Sequence, residues 1–317
     1  MTDTYILTGG AGFIGSHIAE RLLKDGQRVR IIDNFSTGKR ANVEPLLAAY
    51  PDALHVYEVS ITDRAALDPI FAGGDYVLHQ AALASVPRSV ADPLATHEAN
   101  ATGTLNVLLA ARDAGVKRVV YAASSSAYGE VTVEKQDESL PPHPLSPYGV
   151  SKLAGEYYCQ AFTQVYGLET VALRYFNVFG PRQDETSQYA AVIPKFIAAM
   201  MSGRQPTIYG DGLQSRDFTY VDNVVHGNLL ALRAPGVAGE TMNLATGGSV
   251  SLLQLVDKLN HLLGTSLAPI HADARPGDIK YSRADVSKAT DLLDFAPVAD
   301  FDTGLARTVD WFRARGV

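Results

Sequence analysis

The chain of 317 residues contains one cysteine, Cys159, and this scarcity excludes several classes of protein. A single thiol cannot form an internal disulfide framework, and it cannot supply a cysteine-rich metal site. Hydrophobic residues make up 46% of the sequence, so an ordinary apolar core has to stabilise the fold. Cys159 falls within a predicted helix, where we expect a small buried core residue.

Basic residues are also scarce relative to acidic ones. The sequence has 27 Lys and Arg against 34 Asp and Glu, which gives a formal net charge of −7. This balance argues against nucleic acid or an anionic membrane surface as the main partner. An anionic ligand therefore has to be bound locally, by arginines and helix N-termini.

Long apolar runs and targeting segments are missing as well. No run approaches the roughly 20 residues that a membrane-spanning helix needs. The N-terminus enters an apolar strand after a few polar residues, without the basic region and cleavage-like site of a secretory signal. The sequence therefore predicts a cytoplasmic protein without a membrane partner.

Strand-like and helix-like segments alternate along the first part of the chain. Apolar strands are predicted at residues 5–8, 29–33, 54–59, 76–79, 118–122 and 169–174, and helices at 13–24, 62–71, 96–114 and 148–166. Alternation of this kind predicts an α/β fold with a doubly wound parallel sheet.

The pattern becomes less regular after Gly180. Helices are predicted at residues 193–201, 252–263 and 303–315, and a strand and turn at 207–212. Residues 218–233 repeat the earlier β/α pattern and are predicted to return to the main sheet. We expect a smaller C-terminal α/β substrate domain, interleaved with the first, and a ligand cleft between the two.

A glycine-rich loop at residues 8–15 (TGGAGFIG) follows a predicted strand and opens a predicted helix. It can be read as Gly10-x-Gly12-x-x-Gly15 or as Gly9-x-x-Gly12-x-x-Gly15. Glycines let the backbone turn tightly and approach a pyrophosphate, which then lies at the helix N-terminus. The motif alone is weak, but its position predicts a dinucleotide site of the Rossmann type. A tight turn without a ligand is the alternative.

Asp33 ends the next predicted strand, 18 residues after Gly15. An aspartate at this position accepts hydrogen bonds from the adenosine ribose, and its charge repels a 2′-phosphate. NAD is therefore the predicted cofactor, while Lys39 and Arg40 nearby keep NADP as the alternative.

Tyr148 and Lys152 lie four residues apart and share one face of a predicted helix, for which Ser146 is the N-cap and Pro147 the first residue. A nearby ammonium group stabilises a phenolate, so we expect Lys152 to lower the pKa of Tyr148 from about 10. Such a phenol can take a proton from a sugar hydroxyl. A serine run at residues 124–126 lies upstream. The alternative is an amphipathic helix without chemistry.

With these residues identified, the chain resembles the extended short-chain dehydrogenase/reductase family over essentially its full length. It resembles in particular the nucleotide-sugar 4-epimerases that act on UDP-glucose or UDP-N-acetylglucosamine. The matching segments are residues 8–15, 33–38 (DNFSTG), 79–82 (HQAA), 124–129 (SSSAYG), 148–152 (YGVSK), 174–182 (RYFNVFGPR), 215–218 (SRDF) and 275–278 (RPGD).

The resemblance implies catalytic roles for three residues. Tyr148 corresponds to the general base, Lys152 to its activator and a ribose ligand, and Ser124 to the serine that hydrogen-bonds the reacting hydroxyl. The implied NAD site comprises Gly9, Gly12, Phe13, Ile14, Gly15, Asp33, Asn34, Ser36, Thr37, Gly38, Ser60, Ile61, Gln80, Ala81, Ala82, Tyr148, Lys152 and Tyr175. Ser60 departs from the family, which usually has an aspartate there, and this weakens one adenine contact.

The resemblance also implies a UDP-sugar site. Asn177, Arg216 and Arg275 match residues that hold the diphosphate, Asp278 the one near the uridine ribose, and Tyr209 the one near the uracil. Ser282 matches a position that borders the sugar, where a small side chain leaves space for an N-acetyl group. The full set is Ser125, Ser126, Asn177, Val192, Tyr209, Arg216, Arg275, Asp278 and Ser282.

The implied activity is that of an isomerase, an NAD-dependent UDP-hexose 4-epimerase working through a transient 4-keto sugar. Its substrates are UDP-GlcNAc/UDP-GalNAc, UDP-Glc/UDP-Gal, or both pairs. Dehydratases carry a threonine-aspartate-glutamate run where this chain has serines, and hydroxyls cannot act as the acid and base of an elimination. A UDP-glucuronate 4-epimerase, a reductase or dehydratase of the superfamily, and a non-catalytic NAD-sensing module are the alternatives.

The resemblance finally implies a division of the chain and an assembly. Residues 1–176, rejoined by about 217–248, form the expected Rossmann domain, and residues 177–317 the UDP-sugar-binding domain. The helices at residues 96–114 and 148–166 carry apolar residues on more than one face, and in the family such helices pair as a four-helix bundle. A homodimer is therefore expected, unless both faces pack within one chain.

Overall fold

The computed structural model describes residues 2–131, 133–185, 191–273 and 281–316. The strands are β1 (Thr4–Thr8), β2 (Arg28–Ile32), β3 (Leu54–Tyr57), β4 (Tyr76–His79), β5 (Arg118–Ser124), β6 (Glu169–Tyr175), β7 (Val178–Phe179), β8 (Thr207–Tyr209), β9 (Ser215–Arg216), β10 (Thr219–Tyr220), β11 (Thr241–Leu244), β12 (Val250–Ser251), β13 (Ile270–Ala272) and β14 (Tyr281–Ser282).

The α-helices follow the same chain order. They are α1 (Phe13–Lys24), α2 (Arg40–Ala49), α3 (Arg64–Phe71), α4 (Val86–Ala91), α5 (Pro93–His97), α6 (Gly103–Asp113), α7 (Pro147–Tyr166), α8 (Val192–Met201), α9 (Val221–Arg233), α10 (Leu252–Leu263), α11 (Ser287–Leu293) and α12 (Phe301–Ala314). None of the helices in the described part of the chain is both long and apolar enough to cross a bilayer.

Among the described residues, seven parallel strands form the central sheet in the order β11-β6-β5-β4-β1-β2-β3. The strand order reverses beside β1, because β2 and β3 extend the sheet on one side and β4 to β6 on the other. Ligands of open α/β sheets bind at the carboxyl ends of the strands next to such a reversal. The predicted α/β fold with a doubly wound parallel sheet is confirmed.

Helices cover both faces of this sheet, and the period of two along a strand explains how. In β1, Leu7 packs with Ile18 of α1 on one face, whereas its neighbour Ile6 packs with Leu67 of α3 and Val107 of α6 on the other. Strands with two buried faces read as continuous apolar runs, which is why they are recognisable in the sequence.

The C-terminal part has a core of its own. Helices α8, α10 and α12 pack against one another. Each contributes a fully buried side chain to this core, namely Ile197, Leu255 and Phe312. Short strands complete this smaller α/β unit, in which β8 pairs with β13, and β9 lies between β12 and β14. The unit is interleaved with the sheet, since β11 returns to the sheet edge beside β6.

The predicted return of residues 218–233 to the main sheet is wrong for the strand, because β10 pairs with β7 in a separate two-stranded sheet. Helix α9 does pack against β5 and β6 of the main sheet, as well as against α1. The chain leaves the plane of the sheet just after β6, where Asn177 has a positive φ of 36°. The strand that rejoins the sheet is β11, which follows α9.

The predicted helix at residues 96–114 is interrupted by a π-helical turn, Glu98–Thr102, between α5 and α6. Asn100 lies in this turn and is buried. Its Oδ1 accepts a hydrogen bond from the Leu83 N–H at 2.8 Å, and its Nδ2 donates one to Ser151 Oγ at 3.0 Å. These contacts explain a local departure from helical spacing that the apolar pattern does not reveal.

Candidate active site

The glycine loop between β1 and α1 is shaped so that a ligand can approach its backbone. Gly9 has a φ of 69°, and a Cβ on it would lie 2.6 Å from Ala81 N. A Cβ on Gly15 would lie 2.2 Å from Gly9 O, so side chains fit at neither position. No described side chain caps α1, which leaves its first N–H groups to a ligand. This cradle and its donors fit the pyrophosphate of a dinucleotide.

The loop forms one wall of a cavity of about 270 Å³ at the carboxyl ends of the central strands. The structure brings together here every residue predicted for the cofactor site except Gly38. The cavity is lined by Gly9, Gly12, Phe13, Ile14, Gly15, Asp33, Asn34, Ser36, Thr37, Ser60, Ile61, Gln80, Ala81, Ala82, Tyr148, Lys152 and Tyr175, among others.

Asp33 lies at the end of β2, where its carboxylate is held by backbone groups. Oδ2 accepts a hydrogen bond from the Ala11 N–H at 2.9 Å, and Oδ1 one from the Phe35 N–H at 2.8 Å. Burial raises the pKa of Asp33, and these two hydrogen bonds lower it in part. Gly38 lies behind the carboxylate, since a Cβ there would be 2.7 Å from Oδ1. Its place in the cofactor site is therefore to let the loop pack against Asp33.

Tyr175 and Gln80 join the ends of β6 and β4 on one side of the strand-order reversal. The Tyr175 hydroxyl lies 3.1 Å from Gln80 Nε2 and 3.0 Å from Asn228 Oδ1. Ser60 Oγ lies 2.7 Å from Thr62 Oγ1 at the opposite end of the cavity. The two ends thus present polar groups, while Ala81, Ala82 and Ile61 provide apolar walls.

Tyr148 and Lys152 reach the cavity from the first turns of α7. Ser146 caps this helix, its Oγ accepting a hydrogen bond from the Gly149 N–H at 3.1 Å, and Pro147 begins it, as predicted. Lys152 is 4% exposed, and its Nζ lies 4.5 Å from the centre of the Tyr121 ring. The helix therefore places an ammonium group over an aromatic face beside the cavity.

The serine run lies next to Tyr148. Ser124 ends β5, its hydroxyl contacts the Ser126 hydroxyl, and its interaction with the Tyr148 phenol lowers the pKa of that phenol in part. Ser125 and Ser126 belong to a 3₁₀ turn, Ser125–Ala127. The structure thus brings Ser124 together with Tyr148, while Tyr148 and Lys152 line the cavity itself.

The expected lowering of the Tyr148 pKa by Lys152 is wrong for this structure. Burial raises the pKa of Tyr148, and only the hydrogen bond with Ser124 lowers it in part. Burial also lowers the pKa of Lys152 to about 7, because a charged ammonium loses its hydration there. A lysine that is only half protonated at neutral pH contributes less positive charge than the sequence argument assumed.

A second cavity, of about 320 Å³, lies between α8 and the short strands β8 and β9. It begins two residues after Tyr175, so the end of β6 borders both cavities. Of the predicted substrate residues, Asn177, Val192, Tyr209 and Arg216 line it. These four come from one turn, one helix and two strands, and they are brought together only by the fold.

Three further predicted substrate residues are Ser282, Arg275 and Asp278. Ser282 is buried and pairs in register with Arg216 across β14 and β9, but it is not one of the lining residues. Arg275 and Asp278 lie outside the described residues.

The structure also adds residues that the sequence did not single out. Lys195 and Phe196 of α8 line the second cavity together with Phe218. Lys195 and Phe196 follow Val192 by three and four residues, so all three lie on one face of the helix. The sequence spacing alone could therefore have predicted these two residues. Asn100 gave no such signal, because its role depends on a distant loop and on α7.

The chain matches the family model described as the NAD dependent epimerase/dehydratase family over residues 5–245. It is 38% identical, over 97% of its length and 98% of the other, to a putative UDP-glucose 4-epimerase of Methanocaldococcus jannaschii. Its fold superposes with a TM-score of 0.93 on UDP-N-acetylglucosamine 4-epimerase of Methanobrevibacter ruminantium in complex with UDP-N-acetylmuramic acid, at 43% identity and over 99% and 100% of the two chains.

A UDP-glucose 4-epimerase of Thermus thermophilus in complex with NAD superposes with a TM-score of 0.87, at 37% identity and over 98% and 99% of the chains. Matches of this extent establish the family. The chain belongs to the NAD dependent epimerase/dehydratase family, a branch of the extended short-chain dehydrogenases/reductases, and its cofactor is NAD.

Proposed function

We propose that the protein is an NAD-dependent UDP-hexose 4-epimerase, an isomerase that interconverts C4 epimers of UDP-sugars. One observation carries the proposal: Tyr148 and Lys152 line the same cavity as the glycine loop and Asp33. A proton acceptor and a dinucleotide site in one cavity are what the reversible oxidation of a secondary alcohol requires. Bound NAD supplies the group that accepts a hydride and later returns it.

In this proposal Tyr148 takes the proton from the C4 hydroxyl, and Ser124 orients that hydroxyl through the hydrogen bond it shares with the phenol. Because burial raises the pKa of Tyr148, the phenol keeps its own proton until a neighbouring base accepts it. Lys152, whose pKa of about 7 leaves it partly unprotonated at neutral pH, can accept that proton and relay it.

The second cavity supports a UDP-binding role. An epimerase has to hold the diphosphate firmly while the 4-keto sugar turns to present its opposite face. A guanidinium fork binds phosphate oxygens in pairs, so we assign the diphosphate to Arg216, with Asn177 beside it, and the uracil to Tyr209. Arg275 and Asp278 complete the proposed set.

The choice of sugar is the finer part of the proposal. Ser282 pairs in register with Arg216, and we propose that its small side chain leaves space for the N-acetyl group of a bound substrate. We therefore propose UDP-GlcNAc/UDP-GalNAc as substrates, with UDP-Glc/UDP-Gal as the second pair. Residues 177–317 remain the proposed substrate domain, and the cytoplasmic location remains a prediction.

The experiment is to incubate the purified protein separately with UDP-GlcNAc, UDP-glucose and UDP-glucuronate, without added cofactor, and to identify C4 epimers by proton NMR. We expect epimers from one or both of the first two. Epimerisation of UDP-glucuronate alone would replace the proposed substrate class. Turnover that requires added NADH or NADPH would indicate a reductase, and loss of water a dehydratase.

Tyr148→Phe tests the catalytic assignment. Removing a general base lowers the rate by about 100- to 10,000-fold. Tyr157→Phe is the matched control, because Tyr157 lies on the same helix but is 50% exposed. Equal activity of the two variants would contradict the assignment of Tyr148.

We also propose a homodimer. Large apolar side chains are exposed on α4, α5 and α7, namely Val90 (66%), Leu94 (75%), Val150 (54%) and Tyr157 (50%). The apolar residues of α6, in contrast, are largely buried within the chain. Helices α4 and α5 pack against α7, so these side chains form one surface, which we call the α4/α5/α7 face. A second copy of the chain would bury it.

A further inference from the structure

Arg174, one residue before the end of β6, holds Glu156 of α7 in a buried ion pair. Its Nε lies 3.0 Å from one carboxylate oxygen of Glu156 and its Nη2 lies 2.6 Å from the other. The two side chains are 5% and 2% exposed. Two ions are stable away from water only when they are paired in good geometry, so this contact fixes the distance between strand and helix.

Glu156 lies on the helix face that carries the proposed base. It follows Lys152 by four residues and Tyr148 by eight, so all three project from the same side of α7. The ion pair therefore sets both the rotation of α7 and its depth against the sheet at the position of the reacting phenol.

The same guanidinium also contacts the segment that carries Ser124. The Arg174 guanidinium lies 4.5 Å from the centre of the Tyr128 ring, which directly follows the 3₁₀ turn after Ser124. At the other end of this ring the Tyr128 hydroxyl donates a hydrogen bond to Asn243 Oδ1 at 2.7 Å. The ring is fully buried and is held at both its face and its tip.

We propose that Arg174 is a positioning residue for the reaction. One guanidinium group binds Glu156 of α7, the helix that carries Tyr148, and packs on Tyr128, which follows Ser124 and its turn. It thereby keeps Ser124 and Tyr148 in the mutual position that the proposed reaction requires. This inference rests on the proposed function of Tyr148 as the base. It goes beyond sheet cohesion, because Arg174 reaches off the sheet to the helix.

A second Arg–Glu pair, which joins β5 to β6, provides the control. Arg118 begins β5 and binds Glu169 of β6 through Nε at 2.8 Å and Nη2 at 2.6 Å. Arg118 is buried like Arg174, but it lies at the opposite end of the strands and is not among the residues that line the cavity. Arg118→Met thus removes a bidentate Arg–Glu pair from a buried arginine without touching the site, although Glu169, unlike Glu156, is 48% exposed.

The experiment compares Arg174→Met, Glu156→Gln and Arg118→Met as NAD-loaded enzymes, with bound NAD measured by absorbance. We expect Arg174→Met to lower kcat by about 10- to 100-fold, because a small misplacement of reacting groups has effects of this size. KM and NAD content should stay within about twofold, since the binding residues are untouched. Glu156→Gln preserves volume and one hydrogen bond, so it should change kcat in the same direction by less.

The pH profile separates positioning from loss of stability. A weakened hydrogen bond from Ser124 no longer lowers the pKa of Tyr148, so the rising limb of kcat should move to higher pH in Arg174→Met and Glu156→Gln. Arg118→Met should lower the melting temperature and leave the limb in place. The proposal is overturned if kcat and the rising limb of its pH profile are unchanged in both Arg174→Met and Glu156→Gln. It is also overturned if Arg118→Met shifts the limb by the same amount.

A titration without substrate keeps this test separate from the proposed function. The ultraviolet difference between the wild type and Tyr148→Phe reports the ionisation of that phenol alone. If the wild type forms no C4 epimer, the proposed function fails, yet an upward shift of this titration in Glu156→Gln still supports the positioning role. If Arg174→Met does not fold, Glu156→Gln alone tests the proposal. An unshifted titration of Tyr148 in Glu156→Gln refutes the positioning role of Arg174.

Discussion

Replacing Lys152 with methionine should stabilise the cofactor-free protein while it abolishes activity. Lys152 is 4% exposed, and its nearest described partner is the Tyr121 ring, 4.5 Å from Nζ, and not a carboxylate. Burial lowers the pKa of the ammonium group from 10.5 to about 7. The folded state therefore disfavours the charged form that the unfolded chain carries at neutral pH.

The magnitude follows from this shift. Each pKa unit corresponds to about 1.4 kcal/mol, so the shift implies a penalty on the order of 4 kcal/mol at pH 7. Methionine keeps the apolar stem of Lys152 and removes this penalty, since the attraction between the charged form and the Tyr121 ring is already part of the folded-state pKa. We expect Lys152→Met to increase the free energy of unfolding by about 4 kcal/mol at pH 7.

The stability difference between Lys152→Met and the wild type should depend on pH. The folded-state pKa of Lys152 lies below its unfolded value, so the penalty is absent above about pH 10.5, grows as the pH falls, and is complete below about pH 7. The advantage of Lys152→Met should therefore shrink by about 2 kcal/mol between pH 7 and pH 9.

Urea unfolding of the NAD-free proteins at these two pH values measures the difference. Lys24→Met is the control, because the Lys24 side chain is 60% exposed and its replacement should alter stability little. A Lys152→Met protein that is less stable than the wild type at pH 7, or whose advantage is the same at pH 9, would refute the reasoning.

Three further predictions concern the cofactor, the substrate and the assembly. Asp33→Asn should weaken NAD binding about tenfold and narrow the preference for NAD over NADP, measured by fluorescence titration, because the ribose loses a charged acceptor; unchanged affinities would contradict that role. Ser282→Tyr should lower kcat/KM for UDP-GlcNAc and leave UDP-glucose within about twofold, whereas equal losses on both would reject the volume argument. Val150→Glu should yield monomers in light scattering, whereas Val298→Glu, 56% exposed but outside the α4/α5/α7 face, should not; a dimer that survives Val150→Glu would remove that face as the interface.

The parts of the site that the sequence predicted are those built from contiguous chain. The glycine loop, Asp33 and the α7 pair each sit at the end of a strand or the start of a helix, and the parallel sheet aligns those ends at one edge. Motifs that lie at such ends in the sequence therefore lie near one another in the fold. This is why every predicted cofactor residue except Gly38 lines a single cavity.

The parts that the sequence did not predict depend on contacts between distant segments. Helical spacing places Glu156 on the same face as Tyr148. It does not reveal that Arg174, 18 residues later, binds the Glu156 carboxylate. The π-helical turn at Asn100 likewise depends on a loop and a helix that lie far away in the sequence. Residue spacing also does not show how deeply a side chain is buried. Burial raises the pKa of Tyr148, which is the opposite of the expected direction.

The ion pair of Arg174 and the uncompensated charge of Lys152 belong to one arrangement. Glu156 follows Lys152 by one helical turn, a spacing at which opposite charges attract. Because Arg174 binds both carboxylate oxygens, Glu156 is held away from pairing with Lys152. In an Arg174→Met background Glu156 is released toward Lys152 and should raise its pKa. Lys152→Met should then destabilise the protein, because it leaves Glu156 buried and unpaired. A double-mutant cycle measured by urea unfolding at pH 7 tests this reversal of sign, and additive effects of the two substitutions would show that the pairs are independent.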